Sequence, residues 1–372
     1  MMRIGLNPGD RLFWPGRAGR YLAYRGTPAD FGAYLEQVLA DSGATDLVML
    51  GDGRTHHRAA IAAIRASGRA ITPWIVEQGY LRPGLILVET WGTGGRSRIP
   101  AAFKGQDTDA LPDPAPAPGS FLRYAAFDVA YHLANVTMGP LFYPRYRHYA
   151  LDSPVAEWRG WIGKALAARG RRRDTETGLA RIAAHRGPVF LMPLQLDTDF
   201  QLRDHGTGRS QAEELEAIIA SFRNHAPENA LLVVKEHPLD NGLRRWGHRT
   251  RTLARGYGTG GRVVFLAGGR VEDLFPRLSG VVTINSTVGL SAILAGIPVK
   301  VLGRAIYDRP GLTHRGTLDT LWHRPEAPDA DLAGRFRRYL RYHYHVPGAF
   351  DGPDALTGAE NVAQFIAGEW PE

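Results

Sequence analysis

Between residues 187 and 303 five short apolar runs recur, and each stops at a polar or glycine-containing turn. They are Val189–Leu194 (VFLMPL), Leu231–Val234 (LLVV), Val263–Leu266 (VVFL), Val281–Ile284 (VVTI) and Val299–Leu302. Brief runs rich in β-branched residues and closed by turn residues read as strands buried on both faces. Helix-length segments separate them, among them the amphipathic Gln211–Phe222. Buried strands alternating with helices leave one economical solution, a parallel sheet covered on both sides. The longest apolar stretch, Val281 to Gly303, contains Asn285 and a Gly-Ile-Pro break. It therefore reads as strand, turn, helix and strand rather than as a membrane span, which needs about 20 nearly continuous apolar residues.

The first half repeats the pattern. Asp46–Leu50 (DLVML) reads as a short buried strand before the turn Gly51-Asp52-Gly53, and His56–Ala66 as a helix. Ala70–Val76 (AITPWIV) reads as the next strand, and Ile86–Glu89 continues the series, again favouring a parallel sheet. Asp109–Gly119 (DALPDPAPAPG) is a loop, because its prolines hold neither helix nor sheet. Phe121–Leu166 is aromatic and helical, and the cluster Arg171, Arg172 and Arg173 after it reads as a solvated helix end. The series restarts after this segment, which places a boundary at 175–187. The expectation is an α/β protein of two Rossmann-like domains, 1–180 and 181–345, facing across a cleft, with a helical tail over 346–372.

Composition narrows the chemistry. The 372 residues include no cysteine, which excludes a disulfide framework, thiolate-bound metal and thiol catalysis. The formal charge is +8, and only four of the 45 basic residues are lysine. Arginine makes forked contacts with phosphate and carboxylate. The amino terminus (MMRIGLNPGDRLFWPG) lacks a signal-peptide apolar core. No Rossmann or Walker glycine spacing, nucleophile-elbow serine or metal-ligand spacing is present. Aromatic-basic interleaving of the kind that binds nucleic acid is also missing.

Four strand ends are unusually polar, and in parallel α/β sheets function gathers at those ends. The first is Glu77-Gln78-Gly79-Tyr80-Leu81-Arg82-Pro83, directly after a strand, where a partly buried carboxylate suits general acid–base work, although taken alone a helix cap or a salt bridge to Arg82 is the preferred reading. The second is Gln195-Leu196-Asp197-Thr198-Asp199-Phe200-Gln201, with two carboxylates on one loop, at least one of them placed to cap the next turn. The third is Lys235-Glu236-His237-Pro238, whose Lys and His can face a phosphate, although in isolation a structural role is the favoured reading. The fourth is Asn285-Ser286-Thr287-Val288-Gly289, a helix start that supplies both N-caps and an anion site.

Taken together, EQGYLRP (77–83), PLQLDTDFQ (193–201), KEHP (235–238) and INSTVGLSAILAGIPVKVLGRAIYDRPGLT (284–313), with Leu318-Asp319 and Trp322 downstream, resemble the capsule polysaccharide synthesis family. Within it the chain is similar to the KpsS/KpsC-type retaining β-Kdo transferases, closer to the KpsS branch. The resemblance implies a GT-B glycosyltransferase with CMP-Kdo as donor and no cofactor or metal. It implies transfer with retention to a lyso-phosphatidylglycerol-like lipid, making the β-Kdo linker of a capsular polysaccharide. It also implies a cytoplasmic location at the inner membrane, within a capsule biosynthesis or export complex and without nucleic acid.

By the same resemblance His237 contacts the CMP phosphate, and Ser286 and Thr287 hold the phosphate or the sugar carboxylate. Glu236 anchors the ribose, and Gln195 and Lys235 complete the donor-binding set. Asp199 is the expected nucleophile with Asp197 as fallback, and Glu77 deprotonates the acceptor. The competing readings are another GT-B enzyme, such as a sialyltransferase or a UDP-sugar 2-epimerase, and a non-catalytic capsule assembly protein.

Overall fold

The computed structural model describes residues 1–14, 19–114, 121–148 and 151–370. Of the proline-rich loop, 109–114 have no regular secondary structure and 115–119 lie outside the described residues. In chain order the strands are β1 (Met2–Gly5), β2 (Arg20–Ala23), β3 (Asp46–Leu50), β4 (Thr72–Gln78), β5 (Leu85–Thr90), β6 (Val189–Pro193), β7 (Leu231–Lys235), β8 (Val263–Leu266), β9 (Gly280–Thr283), β10 (Val299–Val301) and β11 (His345–Pro347). They belong to two compact units. One comprises Met1–Thr93, Pro112–Pro154 and Tyr344–Glu372, and the other Gly94–Leu111 and Val155–His343.

This division differs from a single break near 180. The helices Pro154–Leu166 and Ala168–Ala184 fall almost wholly in the second unit, because the latter packs on β8. The segment after residue 343 returns to the first unit, because β11 pairs with β5. The tail carries that strand as well as the expected helix, Ala355–Ala367.

The second unit holds a five-stranded sheet in the order β10-β9-β6-β7-β8, and every pairing is parallel. Counted within this unit the order is 3-2-1-4-5, that of a doubly wound nucleotide-binding sheet, whose order reverses between β6 and β9. Every residue of β6, β7 and β9 is buried, as the unbroken apolar runs require. The helix Gln211–His225 starts with a reciprocal cap between Ser210 and Glu213 and buries Leu215, Ile218, Ile219 and Phe222 against the sheet. Trp322 closes this core with its ring edge-on to Phe190 (4.9 Å) and Phe222 (5.4 Å). Its Nε1 donates to Ser221 Oγ (2.8 Å), which in turn donates to Asp319 (2.5 Å). Asp319 and Trp322 thus serve packing.

The first unit corrects two expectations. Its main sheet, β11-β5-β4-β3, is mixed, because only β3 and β4 run parallel. No helix separates β4 from β5, so the two form a hairpin. A Cβ on Gly79 of its turn would come within 2.6 and 2.7 Å of the Leu81 and Leu85 carbonyl oxygens, which is why glycine stands there. β3 is an edge strand rather than a buried one: Met49 is covered, while Val48 and Leu50 are about half exposed. A separate parallel pair, β1 and β2, lies in the same unit.

The helix Phe121–Phe142 packs on Pro8–Leu12, where Gly9 N–H donates to Asn135 (2.8 Å). Along it Phe127, whose ring meets that of Phe13 (5.7 Å), and Val129, Leu133, Val136, Met138 and Leu141 are 41 to 76% exposed. Among the described residues no helix is long and apolar enough to cross a membrane.

Candidate functional site

Seven of the eight sequence-selected residues lie in the second unit, at the carboxyl ends of β6, β7 and β9 or in the segments that follow them. At the point where the strand order reverses, Gln195 follows β6 and Asn285 follows β9. Gln195 Nε2 donates to Asn285 Oδ1 (2.8 Å), and the Asn285 backbone N–H donates to Gln195 Oε1 (3.3 Å). Asn285 Nδ2 also donates to the Gln201 carbonyl (2.7 Å). Gln195 is buried, and Gln211 accepts from its backbone N–H (2.6 Å) and donates to its carbonyl (2.9 Å). Its side chain therefore ties two loops together, so its contribution is to position them.

The two aspartates of the 195–201 loop have different surroundings. Asp197 has both oxygens engaged: Oδ2 pairs with Arg244 (3.0 Å) and Oδ1 accepts from Gln211 (3.2 Å). Burial raises its pKa against the opposing pull of Arg244. Asp199 is the N-cap of the helix Phe200–His205, and its Oδ1 accepts from Gln201 N–H (2.8 Å). This cap fixes the orientation of the carboxylate.

Glycines 94 and 95 pack against this short helix. A Cβ on Gly94 would overlap the Gln201 side chain, and one on Gly95 would come within 2.6 Å of the His205 ring. The Gly92–Gly95 turn, which fits no phosphate-loop spacing, is thus read by its close approach to the candidate loop.

Lys235 ends β7 and is 5% exposed. Burial lowers its pKa below the usual lysine range, opposed by Glu236 and Glu272. His237 Nδ1 accepts from Leu239 N–H (3.1 Å), so the neutral ring keeps its proton on Nε2. Glu236, 3% exposed, is bonded to Arg171 and lies 3.5 Å from Lys164 Nζ. A buried carboxylate flanked by two cations is already compensated, so it acts as a counter-ion.

This corrects the reading of the arginine cluster. Arg172 is solvated and pairs with Glu176 on the surface, whereas Arg171 turns inward to Glu236 and to the Ala267 carbonyl. The difference is rotational: adjacent helix positions lie about 100° apart. No signal in the run RRR distinguishes them.

Ser286 caps the helix Thr287–Leu294, its Oγ accepting from Val288 N–H (3.2 Å). Tyr307 donates to the Ser286 carbonyl, and a Cβ on Gly289 would overlap the same phenol. Thr287 is half-buried in the first turn. The helix dipole and unpaired first-turn N–H groups favour an anion there.

Glu77 belongs to the first unit and lies within β4, opposite Leu87, rather than after the strand. Its carboxylate oxygen sits 3.0 Å from where a Gly51 Cβ would be. Nearby, His57 Nδ1 meets the Gly51 carbonyl (2.7 Å), and burial pushes the His57 pKa down to about 4.

The family model for capsule polysaccharide biosynthesis proteins matches residues 45–350. The capsule polysaccharide export protein KpsS of Escherichia coli is 31% identical over 91% of this chain and 87% of its own. The capsule polysaccharide modification protein LipB of Neisseria meningitidis serogroup B is 30% identical over 92% of this chain and 83% of its own. Among solved structures, KpsC of Thermosulfurimonas dismutans, a β-Kdo 2,7 transferase, aligns over 85% of this chain and 82% of its own, with a TM-score of 0.42 and 18% identity.

Proposed function

Because the chain belongs to the capsule polysaccharide biosynthesis family, we propose that it is a retaining glycosyltransferase that moves Kdo from CMP-Kdo to a lyso-phosphatidylglycerol-like lipid. The observation that carries the reading is the convergence of Asp199, His237 and Ser286 on the carboxyl ends of β6, β7 and β9 in one doubly wound sheet.

In this reading the anomeric carbon of the sugar bonds to Asp199, and the bond to the CMP phosphate breaks with its electron pair leaving on the phosphate. His237 Nε2–H and the Thr287 helix start stabilise the departing charge. Glu77 is assigned the acceptor-side base: it takes the proton of the acceptor hydroxyl as that oxygen displaces Asp199 from the anomeric carbon. Asp199 keeps the nucleophile's role that the family resemblance implies, and Asp197, whose oxygens meet Arg244 and Gln211, stays the fallback. Lys235 adds positive charge beneath the donor. Glu236 contributes through Arg171 and Lys164 rather than through ribose.

Peripheral contact with the inner membrane, and with it a place beside a capsule export complex, is supported by the exposed apolar side chains of Phe121–Phe142 and the formal charge of +8. An apolar helix face and a basic protein together suit an anionic lipid surface. The deciding experiment incubates the protein with CMP-Kdo and lyso-phosphatidylglycerol and weighs the lipid by mass spectrometry. A gain of one Kdo unit is expected. An unmodified lipid, together with turnover of UDP-N-acetylglucosamine, would replace this reading with an epimerase.

A further inference from the structure

A cavity of about 370 Å³ lies within the second unit, beside the carboxyl ends of β7 and β8. Its volume falls in the range of small-ligand sites, about 300–1,000 Å³. Its walls come from the helix Pro154–Leu166, the helix Ala168–Ala184, the 242–247 turn and the first turns of the helix Trp246–Gly256. Close approach there depends on glycine. A Cβ on Gly160 would lie 2.5 Å from the Asn241 carbonyl, one on Gly242 would touch Lys164 (3.0 Å), and one on Gly247 would press on the Phe265 ring (2.9 Å).

The charge lining this cavity is lopsided. Arg159, Lys164, Arg171, Arg245 and Arg251 face Glu236 and Asp174. Five cations against two carboxylates leave an excess of three, histidine not counted. Lys164 and Arg171 are held in place by Glu236 at the cavity wall. Among the described residues, Arg159, Arg245 and Arg251 pair with no carboxylate.

Arg245 also holds a left-handed backbone (φ 51°) immediately before the helix Trp246–Gly256, without a side-chain cap on that helix. Left-handed backbone at a residue other than glycine is costly and concentrates at functional sites. Here it turns the chain so that the helix start and the Arg245 side chain border the same cavity.

We propose that this cavity is a phosphate-ester subsite, separate from the donor-phosphate position at Ser286 and His237. Forked arginines recognise a dianionic phosphate group better than a lone carboxylate, and the excess of three charges fits a dianion. Glu236 thereby acquires a different task from the ribose contact expected of it: it fixes the two cations nearest the bound group. The phosphate arrives either as a lipid headgroup or as a small soluble ester, and the test separates the two.

The double variant Arg159→Gln/Arg251→Gln removes two unpaired charges with little risk to folding. Arg172→Gln/Arg270→Gln removes two charges outside the cavity, each from a surface ion pair, and serves as the charge-matched control. Calorimetric titration at low ionic strength with inorganic phosphate, sn-glycerol 3-phosphate and CMP supplies the readout. The expected result is a tenfold or greater loss of affinity for the first two probes in the cavity variant, less than twofold in the control, and CMP affinity unchanged within twofold.

Tighter wild-type binding of glycerol 3-phosphate than of inorganic phosphate identifies a headgroup site, and equal binding a site for small phosphates. Unchanged phosphate affinity in the cavity variant, or an equal loss in the control, overturns the proposal. A parallel loss of CMP affinity overturns the separateness of the subsite. Only the CMP arm depends on the donor assignment above. If CMP fails to bind the wild type at all, the donor assignment falls and the phosphate arms still decide the cavity.

Discussion

The two units handle their apolar surface differently. In the second, the sheet is parallel throughout, its central strands are wholly buried, and the candidate polar groups are tied into bonded pairs. In the first, the main sheet is mixed, its edge strand β3 leaves Val48 and Leu50 half exposed, and a long helix leaves several apolar side chains exposed. Where exposed apolar side chains form a contiguous patch, they mark a contact with something else. The proposed chemistry would need the first kind of interior, and the proposed lipid contact the second kind of exterior.

The sharpest way to break this contrast is at Asp199, where the observed cap and the proposed chemistry share one carboxylate. Asn caps helices about as well as Asp. Asp199→Asn is therefore expected to leave the melting temperature within about 1 °C while Kdo transfer falls at least a thousandfold, about 4 kcal/mol in the barrier. Retained transfer in that variant would reduce Asp199 to its capping role.

A smaller effect is expected where an ion pair is buried. Arg171→Met leaves Glu236 with Lys164 alone, and denaturant unfolding should report a loss of about 2 kcal/mol, less than the 3–5 expected of a fully unpaired charge. A change under 0.5 kcal/mol would return Arg171 to the solvated surface.

The smallest effect concerns the exposed helix of the first unit. Leu133→Glu with Val136→Glu should weaken binding to phosphatidylglycerol vesicles about tenfold, roughly 1.4 kcal/mol, with little loss of stability because both side chains are already nearly half exposed. Sedimentation with vesicles measures it. Equal binding by the variant would place the lipid contact elsewhere and weaken the distinction between the units.

Much of the second unit was legible in the sequence because periodicity there is unambiguous. VFLMPL, LLVV, VVFL, VVTI and VKVL all became strands of one sheet, and the Val281–Gly303 stretch became strand, helix and strand. The first unit was less legible for a physical reason. An antiparallel hairpin and a parallel crossover can start from the same apolar run, and only the short turn Gly79–Gly84 distinguishes them. DLVML resembled a buried strand because sequence records apolarity, whereas burial depends on whether a neighbour is supplied. The candidate loops show the same limit. The spacing of Asp197 and Asp199 marked both as unusual, yet which one caps and which one pairs depends on Arg244 and Gln211, far off in the chain.

What the sequence by itself determined is the alternation of buried strands and helices in the second unit, the polar strand ends that such a sheet brings to one edge, and the family to which those motifs belong. Local patterns suffice there because strand and helix periods are set by the backbone and the side chains next to it. Only the tertiary structure decided that Arg171 and Lys164 turn inward to Glu236, that Gln195 clasps Asn285, that the tail strand returns to the first unit, and that a basic cavity opens beside β7 and β8. Each of these joins residues distant in the chain, and such contacts are fixed by how surfaces pack rather than by any local sequence signal.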